Sequence, residues 1–278
     1  MNKKLRVIIG YLFVLVGILM PLIAFTSISY REISADGKYK IFQNEKPHMN
    51  PSIESYNEKV EKNKGNIIDP FQNEDYKAFY NIDGLKEDDI FAYIIIPKLD
   101  LKKPIYLDAS FKHLKMGVAQ VEGTSLPIGG KSTRSVIAGH RGGWGDLFFY
   151  NIDDLNPGDE IFIDSPLGLL KYAVSDKEII GPGDWEKILP IKDQDMISLL
   201  TCHPKRPPRP KRLLVNAKRV YEEKTIEETK DQKESSVSHL KYGIYAVTII
   251  GWISILIVFI NMCKYIVRGK KPRRKKLK

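Results

Sequence analysis

Apolar residues fall along this chain in two distinct rhythms. Val7–Phe25 is an uncharged apolar run of 19 residues, which as a helix rises about 28 Å and matches the hydrocarbon core of a bilayer. Tyr242–Cys263 is a second such run. Between them, from Ile90 onward, come short β-prone runs bounded by turn residues. Strands are expected near Phe91–Ile96, Pro104–Leu107, Lys115–Gln120, Arg134–Gly139, Glu160–Asp164, Leu170–Glu178, Met196–Cys202 and Leu213–Val220. Pro127-Ile128-Gly129-Gly130, Pro157-Gly158 and Gly181-Pro182-Gly183 read as turns, and Asp146–Leu155 as one helical turn or two. Eight short strands with few helices predict a mainly β fold, a closed or nearly closed eight-stranded β-barrel.

The expected organisation is residues 1–6 as a cytoplasmic start, 7–25 as a transmembrane helix, 26–85 as a polar, broken stalk and 86–224 as the barrel. A linker at 225–241, a second transmembrane helix at 242–263 and a basic cytoplasmic tail at 264–278 follow. Within the stalk, Ser52–Lys62 reads as a short amphipathic helix capped by Ser52, with Ile53, Tyr56 and Val60 at helical spacing and Gly65-Asn66 at its end. Proline biases Asp69 toward extended backbone, so Ile67–Phe71 is expected to cross a surface as a strap.

Charge sharpens the topology. Lys3, Lys4 and Arg6 precede the first run, and nine basic residues from Lys264 to Lys278 follow the second, with no acids beside either group. Against a total of +10, residues 7–263 are therefore slightly acidic, net −2. The basic ends read as cytoplasmic topology signals that touch anionic lipid, with the roughly 215 residues between the spans facing outward. A nucleic-acid partner is not expected. The first run exceeds the roughly 7–15 residues of a signal-peptide core and lacks an alanine-type cleavage site, so it is read as a retained anchor.

Of two cysteines, Cys263 lies at the inner end of the second span, leaving Cys202 as the one outside the membrane, with no disulfide expected between them. Cys202 ends the apolar run Ser198–Thr201, and Arg212, ten residues on, opens Leu213-Leu214-Val215. If the two residues close and open neighbouring strands, they share one end of the sheet, where a guanidinium can donate to a carbonyl oxygen that gains charge. Among five histidines, His48 and His239 fall in polar stalk and linker, His113 in a helical turn, and His203 on the strand face opposite Cys202. His140 remains, ending Ser135–Gly139 beside Arg141-Gly142-Gly143 at a barrel rim; by pattern alone it is either a catalytic base or a strand cap. No metal-ligand spacing is present, and no cofactor is expected.

Val121–Pro127, Ala138-Gly139-His140-Arg141, and Leu199-Leu200-Thr201-Cys202 followed by Arg212-Leu213-Leu214-Val215 together resemble the sortase transpeptidases, from about Tyr56 to Val220. The Asp69-Pro70-Phe71 strap and the second span resemble the class C, pilus-assembling branch. The resemblance implies an eight-stranded sortase barrel on a Gram-positive cell surface with Cys202 as nucleophile, His140 as general acid and base, and Arg212 as stabiliser of the oxyanion or substrate carbonyl. It also implies a substrate contact at Thr201, and a lid in which Asp69 pairs with Arg212 while Pro70 and Phe71 cover Cys202. The partners it implies are LPXTG-like sorting signals and an accepting lysine amine of a pilin or a cell-wall precursor. Read without the resemblance, Asp69-Pro70 is ordinary turn chemistry and Phe71 simply packs on the barrel. The connection His203–Lys211, with four prolines and four basic residues, is about one residue longer than is common in class C, which leaves Arg209 as the alternative to Arg212. Other readings are a sortase that attaches surface proteins to the wall, another extracytoplasmic cysteine transpeptidase, and a non-catalytic binding barrel.

Overall fold

A computed structural model describes residues 3–62, 67, 69–71, 82–142, 147–221 and 236–268. They form two compact units, residues 1–33 with 239–278, and residues 34–238.

The first unit is built from the greater part of the apolar helices α1 (Lys3–Glu45) and α4 (Ser236–Arg268), whose stretches Lys3–Ala35 and Tyr242–Val267 are long and apolar enough to cross a membrane. They pack antiparallel: Tyr11 lies against Tyr265, Thr26 Oγ1 accepts from Trp252 Nε1 at 3.1 Å, and Ser29 Oγ sits 3.1 Å from Thr248 Oγ1. Gly251 permits the approach, since a Cβ there would meet Leu22 Cδ1 at 2.6 Å. Small residues and inter-helix hydroxyl bonds are the usual adhesives where no water is available to drive apolar association.

In the second unit the expected broken stalk is instead helical as far as Glu45. Tyr39 and Phe42, three apart and so on one helix face, are buried against Tyr93, Ile95 and Phe162. Asp164 takes bonds from Tyr39 Oη at 2.9 Å and Lys46 Nζ at 3.2 Å. Docking thus stabilises a segment whose polar composition and Gly37 carry little helical signal of their own. Helix α2 (Pro51–Lys62) follows. Its cap is Asn50 and not Ser52: the Asn50 Oδ1 accepts from Ile53 N at 3.0 Å, while Pro51 occupies the first turn and Ser52 donates to the same oxygen at 2.7 Å. Ile53 is fully buried and Tyr56 packs on the core. Gly65, Asn66, Gly143, Asp146 and the 225–235 part of the linker, with the tail beyond Arg268, lie outside the described residues.

The strands are β1 (Ile90–Ile96), β2 (Leu101–Leu107), β3 (Val118–Gln120), β4 (Thr133–Ala138), β5 (Glu160–Ser165), β6 (Gly168–Ile180), β7 (Asp195–His203) and β8 (Lys211–Val220), closed in the order β1-β2-β3-β4-β7-β8-β6-β5. The third is shorter than expected because α3 (Phe111–Met116), capped by Ser110, takes Lys115 and Met116. Alternation along β4, β7 and β8 sorts residues onto two faces. Ile137, Ile197, Leu199, Leu213, Val215 and Ala217 point into the main core, whereas Val136, Ala138, Leu200 and Leu214 join Ile67, Ile180 and Ile188 in a second apolar cluster against which Phe71 and Trp185 pack. Burial on both faces is why these strands read as continuous apolar runs.

Candidate active site

Strand register brings the three expected catalytic residues into one row. Cys202 and Arg212 are direct cross-strand partners in the antiparallel pair β7–β8. On the other side β4 runs parallel to β7 with Ala138 opposite Leu200. The contact continues past the last ladder pair, since Gly139 N donates to Leu200 O at 3.0 Å and Thr201 Oγ1 donates to Gly139 O at 2.7 Å. Two residues beyond Ala138 and Leu200 are His140 and Cys202, so imidazole, thiol and guanidinium occupy neighbouring strands about 4.8 Å apart, on the face shared by Ala138, Leu200 and Leu214 rather than in the barrel interior.

Local packing holds His140 in place. Gly139 is required because a Cβ there would meet Phe149 Cδ2 at 2.6 Å, and Phe149 N bonds the His140 carbonyl at 3.0 Å. The ring sits among Phe71, Phe111 and Phe148 at centroid distances of 6.0, 5.9 and 5.9 Å, the last two edge-on. Phe148 holds a φ of 43°, a conformation a bulky residue adopts only where its surroundings enforce it.

The strap lies over this row. Asp69, 4% exposed, receives Arg212 Nε at 3.3 Å on Oδ1 and Nη2 at 2.5 Å on Oδ2, a bidentate fork. Its Oδ1 also accepts from Phe71 N at 3.1 Å, so the same residue makes the local turn expected of Asp-Pro and the long-range ion pair. Pro70 is buried, and the Phe71 ring lies 5.3 Å from the Arg212 guanidinium carbon. Arg212 Nη1 donates to the carbonyls of Arg209 and Lys211. Arg209 lies outside the strands, its Nη2 spent on the carbonyls of Arg141 and Lys205.

Thr201 is fully buried and its hydroxyl donates to the Gly139 carbonyl, tying β7 to the histidine turn. The cationic neighbours of Cys202 favour the thiolate, but burial outweighs them in this state. Burial pushes the thiol above its ordinary 9.0; Arg212, Arg209 and Arg141 pull it down without cancelling that effect, and the Asp69 carboxylate reinforces it. Burial likewise holds His140 below 6.5, with Arg209 and Lys115 adding to the shift. Both shifts favour the neutral thiol and the neutral imidazole.

The remaining histidines fall elsewhere. His113 is fully buried and stacked on Tyr106 at 4.9 Å, with Nδ1 at 3.1 Å from Asp108 Oδ1 and Nε2 at 3.1 Å from Asp88 Oδ1. His48 is exposed, and the half-buried His203 follows Cys202 on the alternate face. Among the described residues no cluster of His, Cys, Asp and Glu suits a metal ion. Sequence reasoning passed over Phe111 and Phe148, and the buried Arg141 with its partner Asp153 at 2.7 Å; Arg141 stood in the quoted motif, but nothing local marks Asp153, twelve residues away, as its partner.

Residues 94–220 match the Sortase domain family model. Sortase C-3 of Streptococcus pneumoniae is 39% identical, over 61% of this chain and 80% of that one, with a TM-score of 0.57. Sortase C1 of Streptococcus agalactiae is 34% identical, over 62% and 87%, with a TM-score of 0.56. Sortase A of Bacillus anthracis is 28% identical over 119 residues, 43% of this chain, and the match spans only about half, 55%, of that relative's length. With register, cysteine, histidine and arginine on one barrel face, and with sortase C structures among its neighbours, the chain belongs to the sortase family.

Proposed function

We propose that this protein is a membrane-anchored cysteine transpeptidase that cleaves an LPXTG-like sorting signal between Thr and Gly and joins the acyl group to a lysine amine of a pilin subunit, polymerising pili. The observation that carries this reading is the His140–Cys202–Arg212 row, capped by a strap whose carboxylate occupies the arginine. Pilus assembly is favoured over wall attachment because the strap, Asp69 to Phe71, accompanies likeness to structures titled sortase C and described as pilus-related.

Reaction begins when the strap lifts. Departure of Asp69 removes a negative charge from beside the sulfur and frees the N–H fork of Arg212, and solvent access relieves the burial that keeps the thiol protonated. The Cys202 thiolate attacks the Thr carbonyl carbon. Arg212 donates to the oxygen as it gains charge, an interaction stronger in the transition state than in the ground state. His140, holding the proton, delivers it to the departing glycine nitrogen, leaving a thioester on Cys202. An incoming lysine amine then attacks the thioester, His140 takes its proton, and the sulfur leaves. One peptide bond becomes one isopeptide bond with no nucleotide consumed. Because the two resting groups titrate as a neutral pair, the reactive ion-pair form is a minor species and turnover is slow.

Both basic ends are placed in the cytoplasm and the catalytic unit outside. The antiparallel pairing of α1 with α4 supports this, since it puts Lys3, Lys4 and Lys264 at one end of the helix pair. Incubation of the full chain in detergent with an LPXTG peptide, followed by mass spectrometry, should give an adduct on Cys202 that is absent in Cys202→Ala. Purified pilins should form ladders on a denaturing gel. An adduct without ladders, but with transfer to a wall-precursor amine, identifies a wall-attaching sortase; absence of any adduct defeats the enzymatic reading.

A further inference from the structure

The loop that carries His140 and the loop that leads from Cys202 to Arg212 are cross-tied through one carboxylate. Arg141, next to His140, is 1% exposed and its Nη2 lies 2.7 Å from Asp153 Oδ2. Its Nε and Nη1 have no acceptor among the described residues, so this ion pair is what compensates a guanidinium that has been taken out of water. Asp153 is in a 3₁₀ turn, Ile152–Asp154, that is anchored by buried Ile152 and by Lys177 Nζ, which donates to the Asp153 carbonyl at 2.8 Å. From the other loop Lys205 Nζ reaches Asp153 Oδ1 at 3.5 Å and Asn151 Oδ1 at 2.7 Å, and lies 4.4 Å over the Tyr150 ring. Arg209 closes the circuit by donating to the carbonyls of Arg141 and Lys205 at 3.2 and 2.9 Å.

We propose that Asp153 is a positioning residue of this site: by pairing with Arg141 and Lys205 it fixes the His140 turn against the connection that joins Cys202 to Arg212. The inference rests on the catalytic roles proposed above for those three residues. It has an electrostatic corollary. Around the His140–Cys202 pair stand Arg212 and Arg209 from the β7–β8 side, Arg141 from the β4 side, Lys115 from α3 and Asp69 from the strap. Asp153 is the main carboxylate offsetting Arg141, with a smaller contribution from Asp154. A buried cation stripped of its partner is costly, so the turn shifts to find solvent or an alternative acceptor, and the pair loses its alignment.

The test uses the full chain in detergent with three readouts: kcat and KM for transpeptidation of an LPXTG-type peptide to a lysine amine, the pH midpoint of Cys202 alkylation by iodoacetamide, and the melting temperature. Asp153→Asn, close in shape but uncharged, is expected to lower kcat about tenfold with KM nearly unchanged, and to move the alkylation midpoint to lower pH. Asp153→Glu is expected to keep most of the activity. In Asp153→Asn combined with Lys205→Met, one charge of each sign is gone and the midpoint should return toward the parent's. Lys205→Met alone alters a half-exposed side chain that folding tolerates; it should move the midpoint to higher pH. An unmoved midpoint in both single variants overturns the proposal, as does a loss of kcat that tracks the melting temperature and is equal in Asp153→Glu. If the unaltered chain forms no acyl-enzyme, the transpeptidase reading fails, while the alkylation profiles still decide the role of Asp153.

Discussion

Strands β4, β7 and β8 are crossed twice by polar residues, and the two crossings are built differently. Near the start of β4, Arg134 is 4% exposed and donates to Ser198 Oγ, Asn216 Oδ1 and the carbonyls of Lys187 and Leu189. All four acceptors are uncharged and all belong to the barrel or its β6–β7 connection. Burial therefore pushes Arg134 down to about 10, against the weaker opposing pull of Asp176 and Glu178. At the strand ends Arg212 is equally buried, yet its main partner is a carboxylate 143 residues earlier, on a strap. The first arginine pins the β6–β7 connection to the sheet; the second is satisfied by a strap residue that the mechanism proposed above requires to leave. Equal burial does not mean equal role: on that proposal, what matters is whether the partner belongs to the barrel or to the strap.

The comparison breaks most visibly at the strand ends. Cys202→Ala should abolish thioester formation, His140→Ala should lower kcat/KM about 10²–10⁴-fold, and Arg212→Ala about 10²–10³-fold, all with little change in melting temperature beyond that from the lost strap contact. Retention of most activity in Arg212→Ala would transfer the role to Arg209. Arg134→Leu should do the reverse, costing about 2–4 kcal/mol of stability in denaturant unfolding because the buried Ser198 Oγ and Asn216 Oδ1 and the part-buried carbonyls of Lys187 and Leu189 each lose a donor, with the chemistry of the remaining folded protein largely intact. Next in size is the strap itself. Asp69→Ala with Phe71→Ala should raise iodoacetamide labelling of Cys202 and peptide hydrolysis several-fold, and the labelling midpoint should fall in pH, since a carboxylate that disfavours the thiolate is gone. Unchanged labelling would show that the strap is only a turn packed on the barrel.

The smallest effect concerns a third polar site, His113 between Asp108 and Asp88. Burial opposes its charge, but hydrogen bonds and attraction to the two carboxylates outweigh that and raise it above 6.5, while burial fails to keep Asp108 from falling below 3.8. A raised histidine contributes stability that is complete below its unfolded value and is lost as pH climbs through its folded one. Melting temperature should therefore rise as pH drops from alkaline toward 6.5, and His113→Gln should flatten that slope. A slope unaltered by the substitution would assign it to other groups.

How much of this was readable beforehand differs between regions for physical reasons. Strands such as β1 and β7 were legible because they are buried on both faces, leaving apolar runs such as Phe91–Ile96 that only turns interrupt; β6, exposed at Asp176, Lys177 and Ile179, was legible from its flanking turn residues. The alignment of Cys202 with Arg212 was legible because antiparallel neighbours joined by a short connection share an end. The helix through Glu45 was not, because its stability comes from Tyr39 and Phe42 meeting Tyr93 and Phe162, partners supplied by strands far along the chain. The cap of α2 was misplaced by two residues, since Asn50 and Ser52 are both good cap residues and only Pro51 between them distinguishes the choice. The state of the thiol is not legible, because the sequence displays its cations while concealing the burial that outweighs them.

The Asp69–Arg212 fork has a kinetic consequence. A carboxylate tethered on the same chain competes for this guanidinium at an effective concentration on the order of millimolar, which a freely diffusing peptide must rival before it can dock. Donors gathered in two dimensions beside the enzyme at a membrane reach such local densities, whereas stray peptides in dilute medium do not. On the transpeptidase reading proposed above, the ion pair would act as a crowding threshold, admitting cargo where it is assembled and ignoring it elsewhere.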